Sequence, residues 1–323
     1  MSRIASLSLD LDNKWSYLKT HGSDAWRGFP SYLDLVVPRI LGFLRAHDLK
    51  ITFFIVGQDA ALEKNRHALS LIAEAGHEIA SHSFNHEPWL HLYDEEQIAA
   101  ELAQAEAAIE AATGVRVQGF RGPGFSISNR VLKVLKNRGY RYDATAFPNI
   151  LNPLARAYFF ARSDLSAEEK EQRKALFGNF SDAFRPVKPY RWDIDGEPFL
   201  ELPVTTMPVF RTPIHFSYLL YLSGFSSGLA GAYFRFALAL CRLTGTDPSL
   251  LLHPLDFMGA DDDSDLGFFP GMGMSSDVKL QRMHTFIEFL SRRFEPVSLE
   301  KHIEIAERQE GLRLFRPDFS FQE

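Results

Sequence analysis

Four short stretches carry side chains whose types and spacing suit chemistry: "SLDLDNKW", "HSFNH", "RGPGF" and "LLLHP". Asp10 and Asp12 stand two positions apart, so on a strand both carboxylates point to one side. Carboxylates that close raise one another's pKa unless a cation sits beside them; the other reading makes them loop residues just past the strand, capping the next segment of chain. His82 and His86 stand four apart, which in a helical turn or tight loop presents both imidazoles to one point. Two histidines and one carboxylate are a common protein ligand set for a catalytic zinc, with positions left open for water. Arg121 suits the orientation of a carboxylate through charge-assisted hydrogen bonds, and the glycines around Pro123 let a backbone N–H approach a substrate oxygen. His253, behind three leucines, would by itself read as structural, but it is the fourth strand end to offer a catalytic residue type.

The surrounding pattern must position these groups. A strand through "SLSLDLD" leads into a polar aromatic loop, a helix over residues 31–50 flawed by Pro38, and a buried strand "ITFFIVG". "NRHALSLIAEAGH" reads as a helix and "HEIASHS" as a strand. The helix over 93–114 is the clearest, with Asp94 as cap, Gln97 completing a capping box and Gly114 at its end. "VRVQGFRGPG" and "YRYDATAF" each read as strand into loop, on either side of the helix "SNRVLKVLKNRGY". Alternation at this spacing implies parallel βαβ units, hence an open doubly wound sheet or a barrel, with reactive residues where parallel α/β folds place their sites.

Beyond residue 150 the pattern weakens. Residues 151–192 read as an insertion, with a charged helix "LSAEEKEQRKALFG" followed by a turn-rich loop "FRPVKPYRWDIDG" that runs on to 196; the strand "FLELPVTTMP" resumes after it. Residues 213–234 contain no Asp, Glu, Lys or Arg, and "SGFSSG" breaks them, so the expectation is an apolar helical hairpin at about 213–244. No membrane-spanning helix is expected, although the hairpin suits docking on a lipid surface or a lipid-linked substrate. The strand "SLLLHPLDF" and a closing helix over 275–294 complete one domain spanning 1–323. The acidic "GADDDSDLG" lacks the spacing of a calcium loop and reads as a solvated surface loop.

With 323 residues, 46% of them hydrophobic, the chain can bury a large core. A net charge of -6 with scattered basic residues argues against nucleic acid as a partner. The lone cysteine, Cys241, cannot form an internal disulfide, and no secretory signal is read at the N-terminus. The expected location is cytoplasmic, at most peripheral to the inner face of the membrane; the oligomeric state is left open.

In their order along the chain these motifs resemble the polysaccharide deacetylase family, the carbohydrate esterases (family 4) that share the NodB homology domain. "SLDLDNKW" resembles its DxD-spaced branch rather than the adjacent-aspartate form, "HSFNH" matches its second motif, and "RGPGF" its third. "YRYDATAFP" resembles the fourth, without the tryptophan expected beyond it, and "LLLHP" the fifth. The resemblance implies an irregular or incomplete (β/α) barrel, with Asp12, His82 and His86 as ligands of one divalent metal, zinc by preference, with Co, Ni, Mn or Fe compatible. It also implies Asp10 as base, Arg121 as the group holding it, Asp143 as partner of Arg121, the Gly124 amide as oxyanion donor and His253 as general acid. Directly after the ligand, Lys14 and Trp15 would stand at the mouth, the indole either stacking on a sugar or packing the rim.

The expected activity is metal-dependent removal of an N-acetyl group from an amino sugar in a glycan, glycolipid or sugar conjugate. Two alternatives remain: a deformylase or other amidohydrolase acting on a lipid-linked sugar or cyclic amide, and a catalytically silent carbohydrate- or lipid-binding barrel.

Overall fold

In the computed structural model the described residues are 3–125, 127–151, 183–309 and 311–317. The charged helix expected over 165–178 lies outside them, as does most of the expected insertion.

Strand β1 (Ile4–Asp10) is buried along its whole length, which explains its unusual composition. Ala5, Leu7 and Leu9 face the outer core, while Ser6, Ser8 and Asp10 face inward, where small polar side chains have partners to meet. Ser8 accepts from Arg121 and Ser6 pairs with His302, so neither hydroxyl is buried at the full desolvation cost.

Around β1 the sheet grows in parallel steps: β2 (Thr52–Ile55), β3 (Glu78–Ser81), β4 (Gly119–Phe120), β5 (Tyr142–Asp143) and β7 (Glu197–Glu201) follow on one side, and β8 (Ser249–Leu252) lies on the other. Helices fill the crossovers, among them α1 (Lys14–His21), α2 (Leu33–Ala46), α3 (Gly57–Ala61), α4 (Glu63–Glu74), α5 (Glu95–Thr113) and α6 (Asn129–Asn137). No ladder joins β7 to β8, but past β7 the Thr205 amide reaches the Ser249 carbonyl at 2.8 Å. The result is an incomplete barrel. A small inner cluster around Phe54, Tyr142 and Leu200 packs on the helix Leu299–Glu307, and the larger core lies between the strands and the outer helices.

Two sequence expectations change locally. "NKWSY", read as loop, is the start of α1, because the Asn13 side chain caps it by accepting from the Lys14 amide at 2.8 Å. "PYRWDIDG", read as a turn-rich loop, contains β6 (Tyr190–Ile194), antiparallel to β7. Asp195 and Gly196 form its two-residue turn, both at positive φ (52° and 87°), the backbone that an Asp-Gly pair favours in a hairpin. Alternating burial of Tyr190, Trp192 and Ile194 supports it, a period-2 signal hidden by the prolines before it.

In the uncharged region, Phe216–Phe225 and Ser227–Leu243 are two helices separated at Ser226, whose hydroxyl caps the second. Among the described residues no helix is long and apolar enough to cross a membrane.

Candidate metal centre and catalytic site

Every reactive side chain singled out in the sequence lies at the C-terminal edge of the parallel strands, because each strand of a βαβ series ends on the same side. Asp10 ends β1, His82 follows β3, Arg121 follows β4, Asp143 ends β5 and His253 follows β8. Asp12 lies two residues past β1, where the Tyr32 hydroxyl holds its carbonyl.

One carboxylate oxygen of Asp12 lies 2.9 Å from His86 Nε2 and 3.5 Å from His82 Nε2. The three potential donor atoms lie within 4.8 Å of one another in a buried cluster. Burial pushes the Asp12 carboxyl up, but His86 and His82 outweigh it and hold it well below the usual carboxylate range. Burial likewise disfavours a charge on both rings; it lowers His82, while contact with Asp12 raises His86. Such a set suits one divalent cation. It offers an anionic oxygen and two imidazole nitrogens to one point, and His82 Nδ1 already donates to the Arg121 carbonyl at 2.7 Å, which leaves Nε2 as the lone-pair donor.

The loop carrying the histidines is held from below. Gly57 N and Gln58 N, at the start of α3, donate to the Ser83 and Phe84 carbonyls at 2.8 and 2.9 Å. Glu101, buried on α5, accepts from the Phe84 amide at 3.0 Å, and its two oxygens take the Asn85 amide and side chain at 2.6 Å each. A Cβ on Gly57 would stand 2.7 Å from the Ala105 Cα, so only glycine lets α3 come this close to α5. These contacts support Ser83 and His86 at positive φ (61° and 53°), a costly backbone that persists where its surroundings over-determine it. Glu101 carried no sequence signal beyond its place on an amphipathic helix.

Asp10 does not join the cluster. Its Oδ1 accepts from Arg121 Nη1 at 2.7 Å, and the guanidinium also reaches Ser8 Oγ at 2.9 Å and the Ala144 carbonyl at 2.8 Å. Arg121 is fully buried and its guanidinium carbon lies 4.2 Å over the Phe54 ring. The expected Arg121–Asp143 pair is therefore corrected: the ion pair is Arg121–Asp10. Asp143 and Glu201 are register partners on β5 and β7, so their carboxyls meet side by side. Burial raises both; the hydrogen bond between them, in which they share a proton, holds Asp143 down and pushes Glu201 further up.

Two further assignments change. Trp15 is 1% exposed, donates to Asp59 Oδ1 at 3.0 Å and packs edge-on against Phe29, so it builds the rim and offers no face to a sugar. Lys14 is drawn away by Asp263 and Asp265, at 2.8 and 2.7 Å. The acidic loop is thus partnered rather than merely solvated: Asp262 grips Arg39 with both oxygens, at 2.6 and 2.8 Å, and Asp261 accepts from Ser276. Asp59, which takes donors from Asn13, Trp15 and Asn65 behind His86, is pushed up by burial to about 6 and had no sequence signal.

His253 opens a short turn in which its amide donates to Asp256 Oδ2 at 2.8 Å. Its Nδ1 lies 2.9 Å from Ser217 Oγ, on the first turn of the helix Phe216–Phe225, which leaves Nε2 as the other hydrogen-bonding atom. Ser217 also bonds the buried Asp256 carboxyl. Gly124 is exposed at φ 61°, in the sharp turn after Arg121.

Residues 28–142 match the family model described as polysaccharide deacetylase. A peptidoglycan deacetylase of Helicobacter pylori is 24% identical over 60% of this chain and 67% of its own length. Two further curated relatives are matched over only 34% and 30% of their length. Among solved structures, a polysaccharide deacetylase from Mycobacterium smegmatis superposes with a TM-score of 0.63 at 20% identity, over 99% of this chain and 96% of that one. PuuE allantoinase gives 0.55 at 17% identity, over 96% and 92%. These two likenesses establish the shared fold.

Proposed function

We propose that this chain, which resembles the polysaccharide deacetylase family over residues 28–142, is a metal-dependent hydrolase that removes an N-acetyl group from an amino sugar in a glycan, glycolipid or sugar conjugate. The observation that carries the proposal is the separation of the two aspartates: Asp12 meets both histidines, and Asp10 is paired with Arg121.

Asp12, His82 and His86 would hold the cation, zinc by donor type, with cobalt, nickel, manganese or iron compatible. When bound there it supplies Lewis acidity toward an amide carbonyl and toward water. Asp10 serves as general base, because Arg121 fixes one carboxylate oxygen and leaves the other to accept a proton from the attacking water. The Gly124 N–H serves as an oxyanion donor, a role worth about 3 kcal/mol where it is measured by removal. His253 gives a proton to the departing amine from Nε2, while Ser217 holds Nδ1.

The substrate is an amino-sugar conjugate, and the chain works as one deacetylase-like unit. A cytoplasmic setting belongs to the same proposal, supported by the single buried cysteine, which needs no oxidising compartment. A second reading keeps these residues and changes the acyl group to a formamide on a lipid-linked sugar; the exposed apolar helix pair that supplies Ser217 favours it.

The test is acyl release by metal-loaded protein from N-acetyl and N-formyl amino sugars. Acetate release that disappears in Asp10→Asn, with metal content unchanged, is the expected result. Formate without acetate selects the second reading, and sugar binding without release of either acid leaves only a silent barrel.

A further inference from the structure

The helix Ser227–Leu243 breaks the usual relation between side chain and solvent. A helix apolar on every face belongs inside a protein or a membrane. Here Ala230, Phe234, Ala237, Leu238 and Cys241 face the core, yet Leu229, Phe236 and Leu243 recur every seven residues on the opposite side, 65%, 51% and 82% exposed. Ala232 and Ala239 lie exposed between them. Phe225, at the end of the preceding helix, is 75% exposed.

A second segment extends this surface. Thr206 and Pro213 bridge antiparallel at the base of a turn whose tip carries Val209 and Phe210, 75% and 52% exposed. The Phe210 ring stands 6.2 Å from that of Phe236, so tip and helix present one apolar face.

Charge borders it on one flank. Arg235 and Arg242, also seven apart, join Arg292, Arg293 and Phe289 around a recess of about 360 Å³. Arg292 is paired with Glu288 at 3.2 Å, and the Arg235 guanidinium lies 5.1 Å over the Phe289 ring. From residue 202 to 255 the sequence holds one acid, Asp247, and that acid is bound to Arg3. A chain of net charge -6 thus turns a border of four arginines outward beside its exposed apolar face, with Glu288 engaged by Arg292.

We propose that this face docks on an anionic phospholipid bilayer, with Phe210, Phe225, Leu229, Phe236 and Leu243 entering the headgroup region and Arg235 and Arg242 meeting lipid phosphates. Apolar insertion flanked by arginine is the arrangement that interfacial helices use. Charge complementarity favours a bilayer over a second copy of the chain, since a two-fold contact through this face would set arginines against arginines. One helix links the face to the cleft, because the helix ending at Phe225 carries in its first turn Ser217, which bonds His253. The inference rests on surface composition and is independent of the hydrolase reading.

The test is flotation of the full chain with vesicles of phosphatidylglycerol and of phosphatidylcholine. Binding to the anionic vesicles, weakened by salt, is expected. Phe210→Ser combined with Phe236→Ser should abolish it, and Arg235→Gln with Arg242→Gln should weaken partitioning roughly fivefold per arginine. Both double variants should keep the wild-type melting temperature and the wild-type rate on a soluble substrate. The proposal is overturned if neither vesicle binds, if the variants bind as well as the parent, or if sedimentation shows a dimer that Phe236→Ser dissociates. Inorganic phosphate that binds the protein while no vesicle does would assign the arginine recess to a free anion and also overturn it.

Discussion

The strand-end cleft and the helix pair beside it invert the burial rule in opposite directions. In the cleft Asp10, Asp12, Arg121, Asp143 and Glu201 are ionisable and buried; on the helix pair Phe225, Leu229, Phe236 and Leu243 are apolar and exposed. The first inversion is compensated within the fold, because each of these groups has a partner of opposite sign or a shared proton. The second has no such compensation among the described residues. A compensated inversion points to chemistry carried out inside the protein, and an uncompensated one to a surface completed by something outside it.

The largest expected effect breaks the cleft side of this contrast. His82→Ala removes a donor whose other nitrogen is fixed by the Arg121 carbonyl. Turnover should fall at least about a thousandfold, with metal content falling in parallel by elemental analysis; retention of a full metal equivalent would contradict the ligand assignment.

Next comes Arg121→Lys, which keeps a charge but loses the fork joining Asp10, Ser8 and the Ala144 carbonyl. Activity should drop by about 10²-fold or more, and stability should fall as well, read from the urea midpoint, because Asp10 is left buried with a poorer partner.

A smaller effect is expected at positions that act through others. Glu101→Ala frees the loop between the histidines, and metal affinity should weaken by about 10- to 100-fold, measured by competition with a chromophoric chelator. Ser217→Ala should lower kcat with metal affinity unchanged and shift the basic limb of the pH profile, which loosening of the helix alone would not do.

The smallest effect concerns the Asp143–Glu201 pair. A carboxyl raised in the folded state binds its proton more tightly there than in the unfolded chain, so its contribution to stability falls as pH rises past the ordinary value of 4.5 for glutamate. Asp143→Asn removes the repulsion and leaves Glu201 with the Ala146 and Trp192 donors at 2.9 Å each. The urea midpoint should then change less between about pH 5 and about pH 8, with a gain on the order of 1 kcal/mol at the upper end.

Much of this site was legible in the sequence because its motifs are local. The carboxylates stand two positions apart, the histidines four, and a strand pattern precedes each, so the side chains could be assigned to one end of a parallel sheet. Supports drawn from distant segments were not legible: Glu101 beneath the histidine loop, Ser217 on His253 and Asp59 behind Trp15 are joined by packing alone. The surroundings of Asp143 and Trp15 were hidden for the same reason, since strand register brings Glu201 to Asp143 and helix α1 turns the indole inward to the rim.

By itself, then, the sequence determined the α/β alternation, the apolar helix pair and the residue types a metal-centred hydrolase needs, since periodicity and short motifs depend on neighbours along the chain. The tertiary structure alone decided which aspartate meets the histidines and which meets the arginine, which tryptophan face is covered, and that the apolar stripe looks outward. These depend on strand register and helix rotation, where one residue's shift changes every partner.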